Sequence, residues 1–202
     1  MFDHYLRQLK DRLFLPIAQQ LGRWIHPNVI SLLALIVGLV AAVLAARGAA
    51  FAAFVAWILN RTLDGLDGSV ARAGHSQSDF GGYLDVILDF VVYAAVPLGI
   101  VVGAPTLGAW RAVAFLLASF YINAASWMYL ASLLEGRNAG AHARAELTSV
   151  HMPPGLIAGT ETVILYSLFL LFPDYAAHLF VLMGGLALVN VGYRLIWAWR
   201  RL

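Results

Sequence analysis

Four aspartates stand at helical spacing within one stretch of the chain: Asp64 and Asp67, then Asp85 and Asp89. The first pair is three residues apart and the second is four, so each pair shares one face of a helix. Two consecutive helices joined by a short turn run antiparallel, and their acidic ends meet. Carboxylates gathered in this way repel unless cations lie among them. Arg61 and Arg72 are the only cations on these two helices. One alternative is that the acids are solvated helix ends and caps, and Asp79, near Ser76 and Ser78, fits that role as an entry to the second of the two helices. The other four fit it poorly, because acids within apolar spans are costly and by default functional. An all-oxygen donor set without His or Cys suits a hard divalent cation, Mg²⁺ or Mn²⁺. Two ions shared by four carboxylates can clamp a phosphoryl group undergoing in-line displacement.

Glycine placement adds to this pattern. Gly65 and Gly68 lie inside the first of the two helices, where each costs about 1 kcal/mol relative to alanine. With Ala71 they leave a helix surface stripped of side chains beside the acids, open to a bulky ligand. Arg72, one turn beyond Gly68, carries the forked guanidinium that grips phosphate. Gly81 faces this group from the second helix. Close helix–helix packing is the competing explanation for these small residues, and the sequence alone leaves both open.

The elements that must position these residues are membrane spans. The 202 residues are 61% hydrophobic and 12% charged, with a mean hydropathy of +0.78. That excludes disorder, a collagen and a water-soluble domain. The absence of cysteine excludes disulfides, thiolate metal sites and cysteine nucleophiles. The net charge of +2 and pI of about 9.1 come largely from arginines scattered at span ends, as in membrane flanks. There is no basic stripe with interleaved aromatics, so no nucleic-acid partner is expected.

Residues 1–24 read as an amphipathic juxtamembrane helix rather than a signal peptide, with Leu6, Leu9, Leu13, Ile17 and Leu21 on one face. A soluble arm packed on the bundle is the alternative. Residues 25–202 read as six transmembrane helices: Val29–Ala46, Ala49–Leu63 extended through Arg72, Gly81–Val102, Ala112–Leu134, Leu156–Phe172 and Tyr175–Trp197. The fold class is therefore an all-α membrane protein. Loop arginines cluster on the side of both termini and of the acids, which predicts that this side is cytoplasmic.

The motif reads Asp64-x-x-Asp67-Gly68-x-x-Ala71-Arg72, eight residues, then Gly81-x-x-x-Asp85-x-x-x-Asp89. This resembles the signature of the CDP-alcohol phosphotransferase family at all eight defining positions. Pro27, Asn28 and Ser31 are also similar to the family's entry into its first span. The resemblance implies a Mg²⁺- or Mn²⁺-dependent inner-membrane enzyme with two ions. It would transfer the phosphatidyl group of a CDP-linked lipid, usually CDP-diacylglycerol, to a small alcohol and release CMP. Asp64, Asp67, Asp85 and Asp89 would hold the metals, with Asp89 also taking the acceptor's proton. Gly68, Ala71, Arg72, Gly81, Asn28 and Ser31 would accommodate the donor's cytidine diphosphate. A homodimer is implied as well.

The acceptor site is less marked. Arg137, Arg144 and Arg194 are candidates to bind a phosphate on the alcohol, and Glu161 to bind an amine or hydroxyls; ordinary membrane flanks are the competing reading for the arginines. Asn60, one turn before Asp64, is expected to support the acids, and Asn123 with Ser126 to join helices. No lysine follows Asp89, which separates this chain from a clear glycerophosphate user. Two rivals remain: transfer of a phosphoalcohol from a soluble CDP-alcohol to diacylglycerol, and a divalent-cation transporter.

Overall fold

The computed structural model describes residues 14, 16–22, 24–136 and 159–202. Among them are six α-helices: α1 (Pro27–Ala46), α2 (Ala50–Ala73), α3 (Asp79–Gly103), α4 (Leu107–Gly136), α5 (Gly159–Leu171) and α6 (Ala176–Arg201). A single 3-10 turn, Pro173–Tyr175, links the last two. No strand occurs among the described residues. Among the described residues four stretches are long and apolar enough to cross a membrane: α1, α3, α4 and Pro173–Arg201. Residues 16–21 are also helical, and Ala18 packs with Ile30 and Val70. Most of the expected N-terminal amphipathic helix lies outside the described residues.

Local chemistry sets the ends of the helices that carry the motif. Pro27 occupies the first turn of α1, where its missing N–H costs nothing. The His26 side chain accepts from the Asn28 amide at 3.3 Å. At the far end Gly48 adopts φ +73°, a left-handed stop that glycine takes without steric penalty. α2 runs on ten residues past the apolar stretch that ends at Leu63, as far as Ala73. The turn at residues 74–78 leads into α3, where the Ser78 hydroxyl accepts from the Gly81 amide at 3.1 Å. Ser78 is thus the cap, and Asp79 sits in the first turn beside the positive helix end.

α1 packs against both α2 and α3, and α4 pairs with α6, while α5 touches α2 and α6. The α1–α3 crossing is close because small residues meet there. A Cβ on Gly99 would collide with the Ala42 carbonyl, and one on Gly38 would lie 2.6 Å from Val92. Behind the motif the interior is an aromatic core. Trp57 stacks on Tyr166 at 4.9 Å between centroids, and Tyr166, Phe169 and Phe180 continue the series. Pairs of this kind contribute about 0.5–1.5 kcal/mol each beyond area burial.

Pro97 lies inside α3 and cannot donate to the carbonyl four residues back, that of Tyr93. The buried Tyr166 hydroxyl donates to that carbonyl at 2.7 Å. An interior proline is thereby satisfied by a side chain from α5, which fixes the backbone of Tyr93 one turn from Asp89.

Candidate active site

The motif residues gather at one end of the bundle, where the start of α1, the second half of α2 and the start of α3 converge. Asn28, Ser31, Asp67, Gly68, Ala71, Arg72, Gly81 and Asp85 all line one pocket of about 230 Å³. All six residues expected to hold the donor are thus on its wall. Gly68 answers the question of why α2 carries a glycine here. A Cβ at this position would approach only the Arg72 guanidinium, at 3.3 Å. No neighbouring helix needs the space, so the bare backbone faces the pocket. Gly81 is tighter, with the Ser78 hydroxyl and Asn28 Oδ1 at 3.1 and 3.3 Å from such a Cβ. Arg72 is exposed and its Nη2 donates to Ser69 Oγ at 3.2 Å.

A second, much smaller cavity adjoins this pocket through Ser31, Asp67 and Asp85. Its volume is about 10 Å³, and Asp64, Asp67, Asp85 and Asp89 all line it, with Asn60 and Arg61. Asp67 is buried, and the Ser31 hydroxyl donates to its Oδ2 at 2.5 Å. The donor set around the cavity is all oxygen, the chemistry that suits Mg²⁺ or Mn²⁺. As the side chains lie, no three acidic or imidazole groups among the described residues are gathered tightly enough to hold an ion.

Arg61 is the residue that sequence reasoning left without a role. Its Nη2 donates to Asp89 Oδ1 at 2.8 Å and its Nη1 lies 3.6 Å from Asp64 Oδ2. The signal was available: Trp57, Arg61 and Asp64 share one face of α2, and Asp89 and Tyr93 share one face of α3. Asn60 does support the site, donating to the Ala34 carbonyl of α1 at 2.7 Å and accepting from Arg61 Nε at 2.7 Å.

The residues expected at the acceptor site are not brought together in the same way. Arg137 and Arg144 lie outside the described residues. Arg194 is buried, and its Nη1 donates to the side-chain and main-chain oxygens of Asn123 at 2.8 and 3.3 Å, while its buried Nε has no partner. The expected helix-joining role of Asn123 is therefore performed with Arg194. Glu161 is exposed in the first turn of α5. Between these elements lies a cavity of about 160 Å³ lined by Tyr93, Asn123, Thr162 and Asn190 among others.

Residues 24–192 match the family model for CDP-alcohol phosphatidyltransferase. The chain is 35% identical over 174 residues to Inner membrane protein YnjF of Escherichia coli (strain K12), covering 86% of this chain and 82% of the relative. Its fold is similar to that of Mycobacterium tuberculosis phosphatidylinositol phosphate synthase (PgsA1). Against the crystal structure of that enzyme with CDP-DAG bound, the TM-score is 0.69 at 22% identity, over 91% of this chain and 92% of the other. Against its complex with manganese and citrate the TM-score is 0.69 at 22% identity, over 92% and 88%. With the motif lining two adjoining cavities and the family model matching most of its length, the chain belongs to the CDP-alcohol phosphatidyltransferase family.

Proposed function

We propose that this chain is a multi-pass inner-membrane enzyme that moves the phosphatidyl group of CDP-diacylglycerol to a small polar alcohol and releases CMP. One observation carries this reading: the six residues expected at the donor and the four aspartates line two cavities that share part of their walls. The Escherichia coli relative is named an inner membrane protein, and the Mycobacterium tuberculosis structural neighbour was crystallised with CDP-DAG and with manganese. Both fit the proposal.

Asp64, Asp67, Asp85 and Asp89 would hold two divalent ions, Mg²⁺ or Mn²⁺. Held there, such ions would neutralise charge on the diphosphate and so make CMP a better leaving group. The chain's own residues do the rest. Gly68, Ala71 and Gly81 leave room for the nucleotide, with Asn28 and Ser31 beside them, and Arg72 pairs with phosphate at the pocket mouth. The acceptor's oxygen attacks the phosphatidyl phosphorus, the bond from that phosphorus to the CMP oxygen breaks, and Asp89 takes the hydroxyl proton. Positioning and electrostatics supply most of the acceleration in transfers of this type.

In the bilayer we place six crossings, with α2 and α5 as the two beyond the four long apolar stretches, both termini and the active site cytoplasmic, and residues 1–24 on the surface as an amphipathic helix. A homodimer is part of the proposal. The alcohol would enter from the side of α4–α6, where Arg194, Glu161, Arg137 and Arg144 are the candidates to receive it.

The test is incubation of the purified full chain in lipid nanodiscs with CDP-diacylglycerol, Mg²⁺ or Mn²⁺ and a panel of alcohols. CMP release and a new phospholipid by mass spectrometry are expected, with loss on chelation. CMP formed only from a soluble CDP-alcohol plus diacylglycerol would reverse the direction of the proposal. No CMP with any donor, while the chain carries divalent cations across vesicles, would replace it with transport.

A further inference from the structure

The guanidinium of Arg61 stands among the acids in a way that separates it from an ordinary counterion. A side chain that only balances charge is held by the charges it balances. Arg61 is held as well by four contacts that involve no carboxylate. Its Nε donates to Asn60 Oδ1 at 2.7 Å, and its Nη1 donates to the Tyr93 hydroxyl at 3.0 Å. Its central carbon lies 4.9 Å from the centroid of the Trp57 ring and 5.1 Å from that of Tyr93. Those anchors are themselves anchored: Asn60 to the α1 carbonyl of Ala34, Trp57 in its stack on Tyr166, and Tyr93 through its carbonyl to Tyr166. A cation over an aromatic face is attracted by the ring quadrupole, the more strongly when the pair is desolvated. Moving the group away would forfeit all of this and leave the hydrogen-bonding oxygens of Asn60 and Tyr93 unmatched.

We propose that Arg61 is a permanent cation of the active site, a positioning residue that pins the Asp89 carboxylate through Oδ1 and leaves the other oxygen to the metal and the acceptor hydroxyl, rather than a placeholder that metal binding evicts. Asp89 projects from α3 into a cavity shared with three other acids, so without a fixed donor mutual repulsion decides its orientation. Arg61 supplies that donor from α2. This inference rests on the transfer reaction proposed above for the step at Asp89, and on geometry alone for the fixed guanidinium.

The experiment compares the full chain with Arg61→Met and Arg61→Lys in nanodiscs. Mn²⁺ affinity is read by electron paramagnetic resonance, CMP release by steady-state kinetics, and folding by thermal unfolding. The proposal expects Arg61→Met to bind Mn²⁺ at least as tightly as the wild type, since a positive charge near the ions is gone. Its kcat should nonetheless fall by about 100-fold or more, as misplacing a reacting group by an ångström does. The donor KM should stay within about threefold, the mark of an interaction made for the transition state. Tighter Mn²⁺ binding with undiminished kcat would identify an evicted placeholder and overturn the proposal. Lost Mn²⁺ binding in a folded variant would overturn it too. If Arg61→Met does not fold, Arg61→Lys decides: it keeps the charge but not the fork, so wild-type kcat there would refute the pin. Should the wild type bind Mn²⁺ yet release no CMP, the transfer reading fails by itself. The Mn²⁺-loaded structure then judges Arg61, which must remain within hydrogen-bonding distance of Asp89.

Discussion

The hydroxyl of Ser31 donates to Asp67 Oδ2 at 2.5 Å, and both residues are buried. This bond ties the start of α1 to the acidic face of α2 and engages one oxygen of Asp67. Hydrogen bonds to charged groups contribute about 1.5–3 kcal/mol. Ser31→Ala should therefore weaken Mn²⁺ binding by about 10-fold, read by titration of the purified chain. An unchanged affinity would make the bond a matter of helix packing only.

Asp89→Asn keeps the shape of the side chain and its bond from Arg61 but removes the proton acceptor proposed above. Turnover should vanish while CMP still binds, measured by calorimetry. Turnover like that of the wild type in this variant would remove Asp89 as the base.

Two glycine substitutions should behave in opposite ways. Gly68→Val places a side chain into the pocket proposed for the donor, where an added Cβ meets only the Arg72 guanidinium, so the fold should survive while CDP-lipid binding is lost. Gly99→Ala drives a methyl into the Ala42 carbonyl and should destabilise the bundle by about 1–3 kcal/mol, as overpacking does. Thermal unfolding and donor binding measured on both variants separate the two roles.

Arg72→Ala should raise the KM for the CDP-lipid about 10-fold, the cost of losing a charge-assisted bond to phosphate, with little change in unfolding temperature because the side chain is exposed. An unchanged KM would argue against a phosphate role.

Tyr166→Phe removes the hydroxyl that bonds the carbonyl Pro97 leaves open, and an unsatisfied buried acceptor costs about 1–3 kcal/mol. Adding Pro97→Ala restores an N–H to the helix. The double variant should be more stable than Tyr166→Phe alone, a non-additive result expected of residues sharing one partner. Additive losses in thermal unfolding would show that the hydroxyl and the proline are unrelated.

Spacing made the gathering of Asp64, Asp67, Asp85 and Asp89 around one cavity legible, because a helix converts steps of three and four into a shared face. It also placed Gly68, Ala71, Arg72 and Gly81 beside them, and the pocket wall agrees. The end of α2 was legible as well: hydropathy falls at Asp64, yet the span extended through Arg72 stops one residue short of the helix end at Ala73, because the acids point inward and do not break it. Two adjacent candidates for the α3 cap, Ser78 and Asp79, differ only in backbone conformation, which sequence does not display. The role of Arg61 depends on how α2 and α3 are rotated toward each other. Spacing puts Arg61 on the face of Asp64 but does not show that Asp89 lies opposite, because α2 and α3 are each set against α1 by distant contacts such as Gly99 of α3 on Ala42 of α1.

The aromatic series from Trp57 through Tyr166 and Phe169 to Phe180 stands directly behind the acids. An ion or proton that arrives at the carboxylate end meets packed rings with no charged step beyond them along that series. Charge placed at the acids therefore finds no carboxylate, guanidinium or imidazole to pass to along that series of rings.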